Sequence, residues 1–131
     1  MIYLLDVNAL VALGFANHEF HSRVASWIRG QDFPPLATCA ITELEFVRVL
    51  AHAPAYGVSV AQARTLLLRM KESENPAFTF IVDDHDVSRL PAWVKTANQT
   101  TDGHLASLAA GVGGRLVTLD RRIPGALLIP D

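Results

Sequence analysis

Cysteine, long apolar runs and charge of one sign are all scarce in this sequence. Cys39 is the single cysteine, so no disulfide can form within the chain, and we expect a reducing, cytosolic setting. No apolar run approaches the roughly 18 residues that a membrane-spanning helix requires. The amino end also lacks the positively charged region of a secretory signal. The sequence therefore predicts a cytoplasmic protein with no membrane partner.

Charge is low and nearly balanced along the chain. The net charge is −2, which argues against a broad basic surface for nucleic acid but is compatible with a local basic rim. Hydrophobic residues make up 50% of the 131 residues and charged residues 18%, so we expect a packed core rather than disorder. A chain of this length predicts a single domain over residues 1–131.

Short apolar runs alternate with longer stretches of helical periodicity. Strands are predicted at 2–5, 36–38, 78–82, 115–119 and 126–129. Helices are predicted at 9–16, 20–28, 41–51, 59–70, 88–97 and 102–110. This alternation predicts an α/β fold, a three-layer sandwich in which helices flank a central, mainly parallel sheet.

Four acidic residues fall where such a fold would bring them together. Two follow a predicted strand directly, and two lie near the start of a helix; they are Asp6, Asp120, Glu43 and Asp102. Because parallel strands end at one edge of the sheet, we expect the four carboxylates to share a pocket there. Crowded carboxylates repel one another, and hard oxygen ligands favour Mg²⁺ or Mn²⁺. The pattern therefore predicts metal-dependent cleavage of phosphodiester or phosphoester bonds.

Two segments match the capping box that often opens a helix. Ser59 and Gln62 are spaced for one, at the start of the predicted helix 59–70. Thr42 and Glu45 are spaced for another. The second box would explain Glu45 as a structural residue, which leaves Glu43 as the acid available to the pocket.

Each of the other three acids also has an ordinary structural interpretation. Asp6 could cap a helix that begins at Val7, a role that aspartate fills well. Asp102 could be favoured by the dipole of its helix. Asp120 could be a turn residue. The functional interpretation rests on their joint occurrence at one predicted edge of the sheet.

A second acidic segment follows the predicted strand 78–82. It contains Asp83, Asp84 and Asp86. A rival site would combine Asp84 with Asp6 and Asp120, whereas a solvated acidic loop is the simpler interpretation.

Two histidines and three arginines stay open. His85 and His104 could act as ligands or bases, although His104 lies two residues after an acid on a helix and so faces elsewhere. Arg115, Arg121 and Arg122 could contact phosphates near the rim of the pocket. An ordinary solvated role fits these arginines equally well.

Four segments together resemble the PIN-domain ribonucleases, and the VapC-type toxins of bacterial toxin–antitoxin pairs in particular. The segments are Leu4 to Leu10, Thr42 to Leu50, Thr101 to Ala106 and Val117 to Asp120. The resemblance implies a PIN-like fold over residues 1–131. It also implies that Mg²⁺ or Mn²⁺ is held by four acids, namely Asp6, Glu43, Asp102 and Asp120.

The same resemblance implies supporting residues, a substrate and partners. Asn8 and Thr118 would orient the metal-binding carboxylates. The substrate would be single-stranded or loop RNA, such as transfer or ribosomal RNA. An antitoxin would insert a tail into the acidic groove, and a homodimer is expected. Gly103 departs from the small helix-favouring residue usual in the family after the aspartate.

Three other functions stay open from the sequence. A stand-alone PIN nuclease in RNA processing would lack a neighbouring antitoxin gene. A phosphatase would use Asp6 as nucleophile, but such enzymes usually carry a second aspartate where this chain has Asn8. A non-catalytic binding module would keep the acids for structure alone and would not bind manganese.

Overall fold

A computed structural model describes all residues from 1 to 131 and contains one five-stranded sheet. The strands are β1 (Tyr3–Leu5), β2 (Leu36–Cys39), β3 (Phe78–Ile81), β4 (Arg115–Thr118) and β5 (Leu127–Leu128). Their spatial order is β3-β2-β1-β4-β5, and every neighbouring pair is parallel. The prediction of a parallel sheet with strands at these five places is confirmed.

Five α-helices cover both faces of the sheet. They are α1 (Val7–Gly14), α2 (His21–Gly30), α3 (Ala40–His52), α4 (Val60–Met70) and α5 (Thr100–Gly111). Short 3-10 helices lie at Pro54–Tyr56, Val87–Arg89 and Ala97–Gln99. None of the helices combines the length and the apolar character needed to cross a membrane.

Two buried clusters form the core, one on each side of the sheet. The first joins strand residues such as Leu5 and Val117 to helices α1 to α4. The second joins Leu4 and Leu116 to α5, with Leu105 among the buried residues of that helix. Successive strand residues point to opposite faces, so the strands β1 to β4 contribute to both clusters. This arrangement is the predicted three-layer sandwich.

One predicted helix is wrong, and a nearby proline explains why. The segment 88–97 contains only the end of the short 3-10 helix at Val87–Arg89 and the start of another at Ala97–Gln99. Pro91 cannot donate a backbone hydrogen bond, and it disfavours helical geometry at Leu90, which is extended. The segment therefore crosses the surface as an irregular connection.

One predicted capping box is confirmed, and the other is wrong. The Ser59 and Gln62 side chains each accept the other residue's backbone N–H, at 3.1 and 2.9 Å. In α3 the residue before the helix is Cys39, and its backbone N–H donates to Thr42 Oγ1 at 3.0 Å. Thr42 is thus already inside the helix, and Glu45 lies beyond its first turn. The structural explanation offered for Glu45 no longer applies.

Candidate active site

A cavity of about 560 Å³ opens at the edge of the sheet where the strands end. Its walls come from α1, α3, the start of α5 and the segments that follow α1, α3 and β4. Asp6, Asp102 and Asp120 line it together, although they are far apart in the sequence. The structure therefore brings three of the four predicted acids to one cavity.

Asp6 is both a helix cap and a wall of this cavity. One carboxylate oxygen accepts the Val7 backbone N–H at 2.8 Å, and the other accepts the Thr118 hydroxyl at 2.7 Å. Only 6% of the residue is exposed. Burial raises the pKa of Asp6, and repulsion from Asp120 adds to this, while the two hydrogen bonds oppose it. A nearby cation would relieve the cost of keeping this carboxylate ionised.

Asp102 lies in the first turn of α5, where the helix dipole favours a negative charge. Burial raises the pKa of Asp102, and repulsion from Asp6 and Asp120 raises it further. The start of α5 packs tightly, because a Cβ on Gly103 would lie 2.2 Å from Val94 Cγ2. Glycine at 103 thus allows the close approach that positions Asp102.

Asp120 is partly neutralised by Arg122. The Arg122 guanidinium donates from Nε and Nη2 to the two carboxylate oxygens, each at 3.0 Å, and the Arg122 backbone N–H also donates at 2.9 Å. These hydrogen bonds lower the pKa of Asp120 despite its partial burial. The structure therefore pairs the Arg122 guanidinium with Asp120 at the cavity. A contact between Arg122 and a phosphate, as predicted, would require this pairing to break.

Thr118 and Asn8 connect the carboxylates to the end of β4. The Thr118 hydroxyl donates to Asp6 and accepts the Asp120 backbone N–H at 3.0 Å. Asn8 donates from Nδ2 to the same hydroxyl at 3.3 Å and accepts the Leu119 backbone N–H at 3.1 Å. This network has the geometry that an orienting role requires.

Replacing Thr118 with valine should weaken divalent metal binding by about ten- to hundred-fold, because Asp6 loses one of its two hydrogen-bond donors while keeping its charge. Calorimetric titration with Mn²⁺ measures this effect. Thr118→Ser keeps the hydroxyl and serves as the control, so its affinity should stay close to that of the unmodified protein. Equal affinities for the valine variant and the unmodified protein would contradict an orienting role.

Glu43 does not reach the cavity, whereas Glu45 does. Glu43 Oε2 accepts the Thr38 hydroxyl at 2.6 Å and pairs with Lys71 Nζ at 2.5 Å. Glu45 lines the cavity and pairs with Arg48 at 2.5 Å. Residues two apart on a helix point to different faces, so the start of α3 decides which glutamate faces the aspartates.

The second acidic segment and its histidines lie outside the cavity. His104 Nε2 contacts Asp83 Oδ2 at 2.5 Å, and His85 Nδ1 contacts Ser107 Oγ at 3.2 Å. The Asp84 side chain is 83% exposed. Asp86 accepts from the backbone and hydroxyl of Ser88 in a local turn. The rival site that combines Asp84 with the two strand-end aspartates is not formed.

Sequence reasoning missed several residues that line the cavity. The missed polar and aromatic residues are Glu45, Arg48, His18 and Tyr56. A local signal existed for part of this set, because Ile41, Glu45, Arg48 and Val49 follow the i, i+4, i+7, i+8 spacing of one helix face. His18 lies in a loop and Tyr56 in a 3-10 helix, and no periodicity connects them to that face.

The chemistry of the donor atoms fits a hard divalent cation. No three acidic, histidine or cysteine side chains lie close enough together to hold a metal ion jointly. Mg²⁺ does not need three such side chains, since it commonly keeps several waters and is held by one or two carboxylates. The raised pKa values of Asp6 and Asp102, caused by burial and by mutual repulsion, are what a bound cation would counteract.

Comparison with known sequences identifies similar proteins along nearly the whole chain. The PIN domain family profile matches residues 3–126. Ribonuclease VapC44 of Mycobacterium tuberculosis is 39% identical, over 94% of this chain and 92% of that protein. Ribonuclease VapC38 of the same organism is 37% identical, over 89% and 84% respectively.

Comparison with solved structures shows the same fold in more distant proteins. A chain of VapBC2 from Rickettsia felis, bound to a promoter DNA fragment, aligns with a TM-score of 0.59 at 17% identity and covers 98% of this chain and 97% of that chain. The sarcin–ricin loop cleaving toxin VapC20 of Mycobacterium tuberculosis aligns with a TM-score of 0.53 at 12% identity and covers 89% and 87%.

Proposed function

We propose that this chain is an endoribonuclease. It belongs to the PIN domain family and, within that family, to the VapC ribonucleases. It cleaves RNA phosphodiester bonds at a Mg²⁺ or Mn²⁺ site and acts as the toxin of a type II toxin–antitoxin pair. The observation that carries this proposal is the convergence of Asp6, Asp102 and Asp120 on one cavity.

One or two of the three aspartates would hold the cation directly and the others through its bound waters, and Glu45, which lines the same cavity, would be the fourth acid in place of Glu43. A divalent cation bound there supplies activation of water and stabilisation of the charge that develops on the phosphate. Asp6 is fixed by two hydrogen bonds, so it offers a carboxylate whose position is set before any ligand arrives. Asp102 and Asp120 add the negative charge that makes cation binding favourable.

The surroundings of Asp6 argue against the phosphatase alternative. Asn8 stands where such enzymes usually carry a second catalytic acid, and its amide group is hydrogen-bonded to Thr118 and to the Leu119 backbone. RNA hydrolysis at a cation site fits these contacts better than formation of a phospho-aspartate.

The substrate and the protein partner follow from the same cavity. Its acidic end suits a cation during catalysis and equally a basic side chain of an inhibiting antitoxin segment. Similar structures come from VapBC proteins of Rickettsia felis and Salmonella typhimurium, both bound to DNA. We therefore propose a cognate antitoxin as partner and single-stranded or loop RNA, from transfer or ribosomal RNA, as substrate.

Removal of divalent metal should stop RNA cleavage. The purified chain is incubated with labelled RNA in EDTA and then after addition of excess Mg²⁺ or Mn²⁺, and the products are separated on a gel. We expect cleavage only with added cation, because the three carboxylates alone provide no electrophile for the phosphate. Undiminished cleavage in EDTA would contradict the proposed mechanism.

A further inference from the structure

The cavity extends well beyond the three aspartates. Helices α1 and α3 both begin at the carboxyl edge of the parallel sheet, and the cavity continues between them. Its lining on α3 runs from Ile41 to Val49, which corresponds to about 12 Å along a helix. The volume of about 560 Å³ lies within the range of sites that bind whole small molecules. This space exceeds what one hydrated cation fills.

An aromatic ring lines the cavity beside the carboxyl-terminal end of α1, whereas Asp6 precedes the start of that helix. Tyr56 belongs to the 3-10 helix that follows α3, and its side chain lines the cavity. The Phe15 ring packs edge-on against it, with ring centroids 5.0 Å apart and an interplanar angle of 89°. This contact holds the Tyr56 ring in one orientation. A fixed, half-buried ring is suited to stacking against a flat ligand.

Two nitrogen-bearing side chains line the same end. Arg48 is 63% exposed and uses Nε and Nη2 to contact Glu45, which leaves further guanidinium donors for a ligand. His18 accepts the Phe20 backbone N–H at Nδ1, at 3.0 Å. Its other ring nitrogen, Nε2, is then the donor. These two side chains provide hydrogen-bond donors, whereas the opposite end of the cavity provides carboxylates.

We propose that this end, formed by His18, Arg48 and Tyr56 and called the distal end below, binds an unpaired nucleotide next to the cleaved bond. Tyr56 stacks on the base, and Arg48 and His18 contact the phosphate. The inference rests on the proposed ribonuclease function and deepens it by naming the recognised element of the substrate. Stacking accepts any base, so the distal end selects unpaired RNA rather than a sequence.

The charge of the chain favours a local site of this kind. With a net charge of −2, the protein gains little general attraction for a polyanion. The aspartates at the near end also repel phosphate when no cation is bound. A few local groups are therefore expected to supply affinity for RNA, and the cavity offers Arg48 and Tyr56 among its lining residues.

The first test measures the contribution of stacking. A fluorescein-labelled single-stranded hexaribonucleotide is titrated with protein in EDTA, where cleavage does not enter the readout, and anisotropy gives the Kd. Tyr56→Leu should raise the Kd by about five- to hundred-fold, whereas Tyr56→Phe should stay within about two-fold, since it keeps the ring. Melting temperatures identify a variant that is not folded.

A modified RNA repeats the stacking test without altering the protein. Hexanucleotides that lack one base each are titrated with the unmodified chain. At one position the missing base should raise the Kd about as much as Tyr56→Leu does. The two changes together should cost little more than either alone, because both remove the same contact.

The second test measures the phosphate contact. Arg48→Ala should weaken binding and reduce the slope of log Kd against log salt concentration by about one. Arg64→Ala serves as the matched control, because Arg64 is an exposed arginine on α4, away from the cavity. It should change neither the affinity nor the slope.

The outcomes separate this inference from the proposed function. Unchanged RNA affinity in both Tyr56→Leu and Arg48→Ala would overturn the distal-end proposal and leave that surface to a protein ligand. That result would not contradict metal-dependent cleavage by the unmodified chain, because it concerns the distal end and not the three aspartates. Conversely, loss of binding in these variants would support the distal end even if the unmodified chain showed no metal-dependent cleavage.

Discussion

Replacing Asp6 with asparagine is expected to lower metal-dependent RNA cleavage by at least about a hundred-fold while leaving the chain folded. Asparagine has the same shape, so its side-chain oxygen can still accept the Val7 backbone N–H that caps α1. It lacks the charge that binds a cation. In the unmodified protein the Thr118 hydroxyl donates a hydrogen bond to Asp6. In the variant this hydroxyl would face the asparagine amide group instead. The loss should therefore appear in catalysis rather than in folding.

The pH dependence of stability gives a second readout for the same variant. Burial raises the pKa of Asp6 above the ordinary value of 3.8, so the folded chain holds this proton more tightly than the unfolded chain does. The stability gained from the proton is fully present below pH 3.8 and is lost as the pH rises through the raised pKa. Asparagine cannot ionise. In EDTA, the difference between the melting temperature of Asp6→Asn and that of the unmodified chain should thus become more positive as the pH rises from about 4 to about 7.5.

Thermal melts and cleavage assays with a matched control test both expectations. Asp84→Asn removes one negative charge at a largely exposed site outside the cavity, and it should cleave RNA normally. Added Mn²⁺ should raise the melting temperature of the unmodified chain at neutral pH more than that of Asp6→Asn. Full cleavage by Asp6→Asn, or a melting-temperature difference that does not change with pH, would contradict the role given to Asp6.

The sheet and most of its helices were predictable because their signals are local. Each strand is a short apolar run, and the run before Asp6 ends where the helix cap begins. The order of strands and helices then required parallel pairing. The segment 88–97 failed because its apolar spacing mimics a helix while Pro91 prevents one, and the conflict is decided by backbone chemistry rather than by pattern.

Three of the four acids were predictable because topology alone positions them. Asp6 follows β1, Asp120 comes two residues after β4 ends, and Asp102 lies in the first turn of α5. Parallel pairing sends all of these points to one edge of the sheet. The family resemblance drawn from the same segments is confirmed by the relatives of this chain. No fine detail of packing was needed for either result.

The glutamate of α3 that lines the cavity was not predictable in the same way, since it depends on where the helix begins, and the metal-binding role of Glu43 stays a prediction. A helix advances by about 100° per residue, so Glu43 and Glu45, two residues apart, point in directions about 200° apart, and only Glu45 lines the cavity. Cys39 precedes α3 without being a usual capping residue, and Thr42 offered a stronger but misleading signal. The distal end was missed for a related reason, because His18 and Tyr56 reach it from segments without periodicity.

Separate substitutions of Glu45 and Glu43 should distinguish a residue needed for catalysis from one needed for stability. Glu45→Gln keeps the size of the side chain and an oxygen for Arg48, but it removes negative charge from the cavity. We expect cleavage and Mn²⁺ affinity to fall by about ten- to hundred-fold, with little change in melting temperature. Glu43→Ala removes the partner of Lys71 and Thr38, which links α3 to β2 and to the end of α4.

Glu43→Ala should therefore lower stability and leave cleavage close to normal. The Lys71 and Glu43 side chains are 23% and 21% exposed, so solvent weakens their pairing, and we expect a loss of about 1–2 kcal/mol, or about 3–8 °C in Tm. Cleavage is compared at a temperature where both variants are folded. The opposite pattern, in which Glu43→Ala abolishes cleavage and Glu45→Gln does not, would return Glu43 to the metal site and require α3 to turn relative to the aspartates.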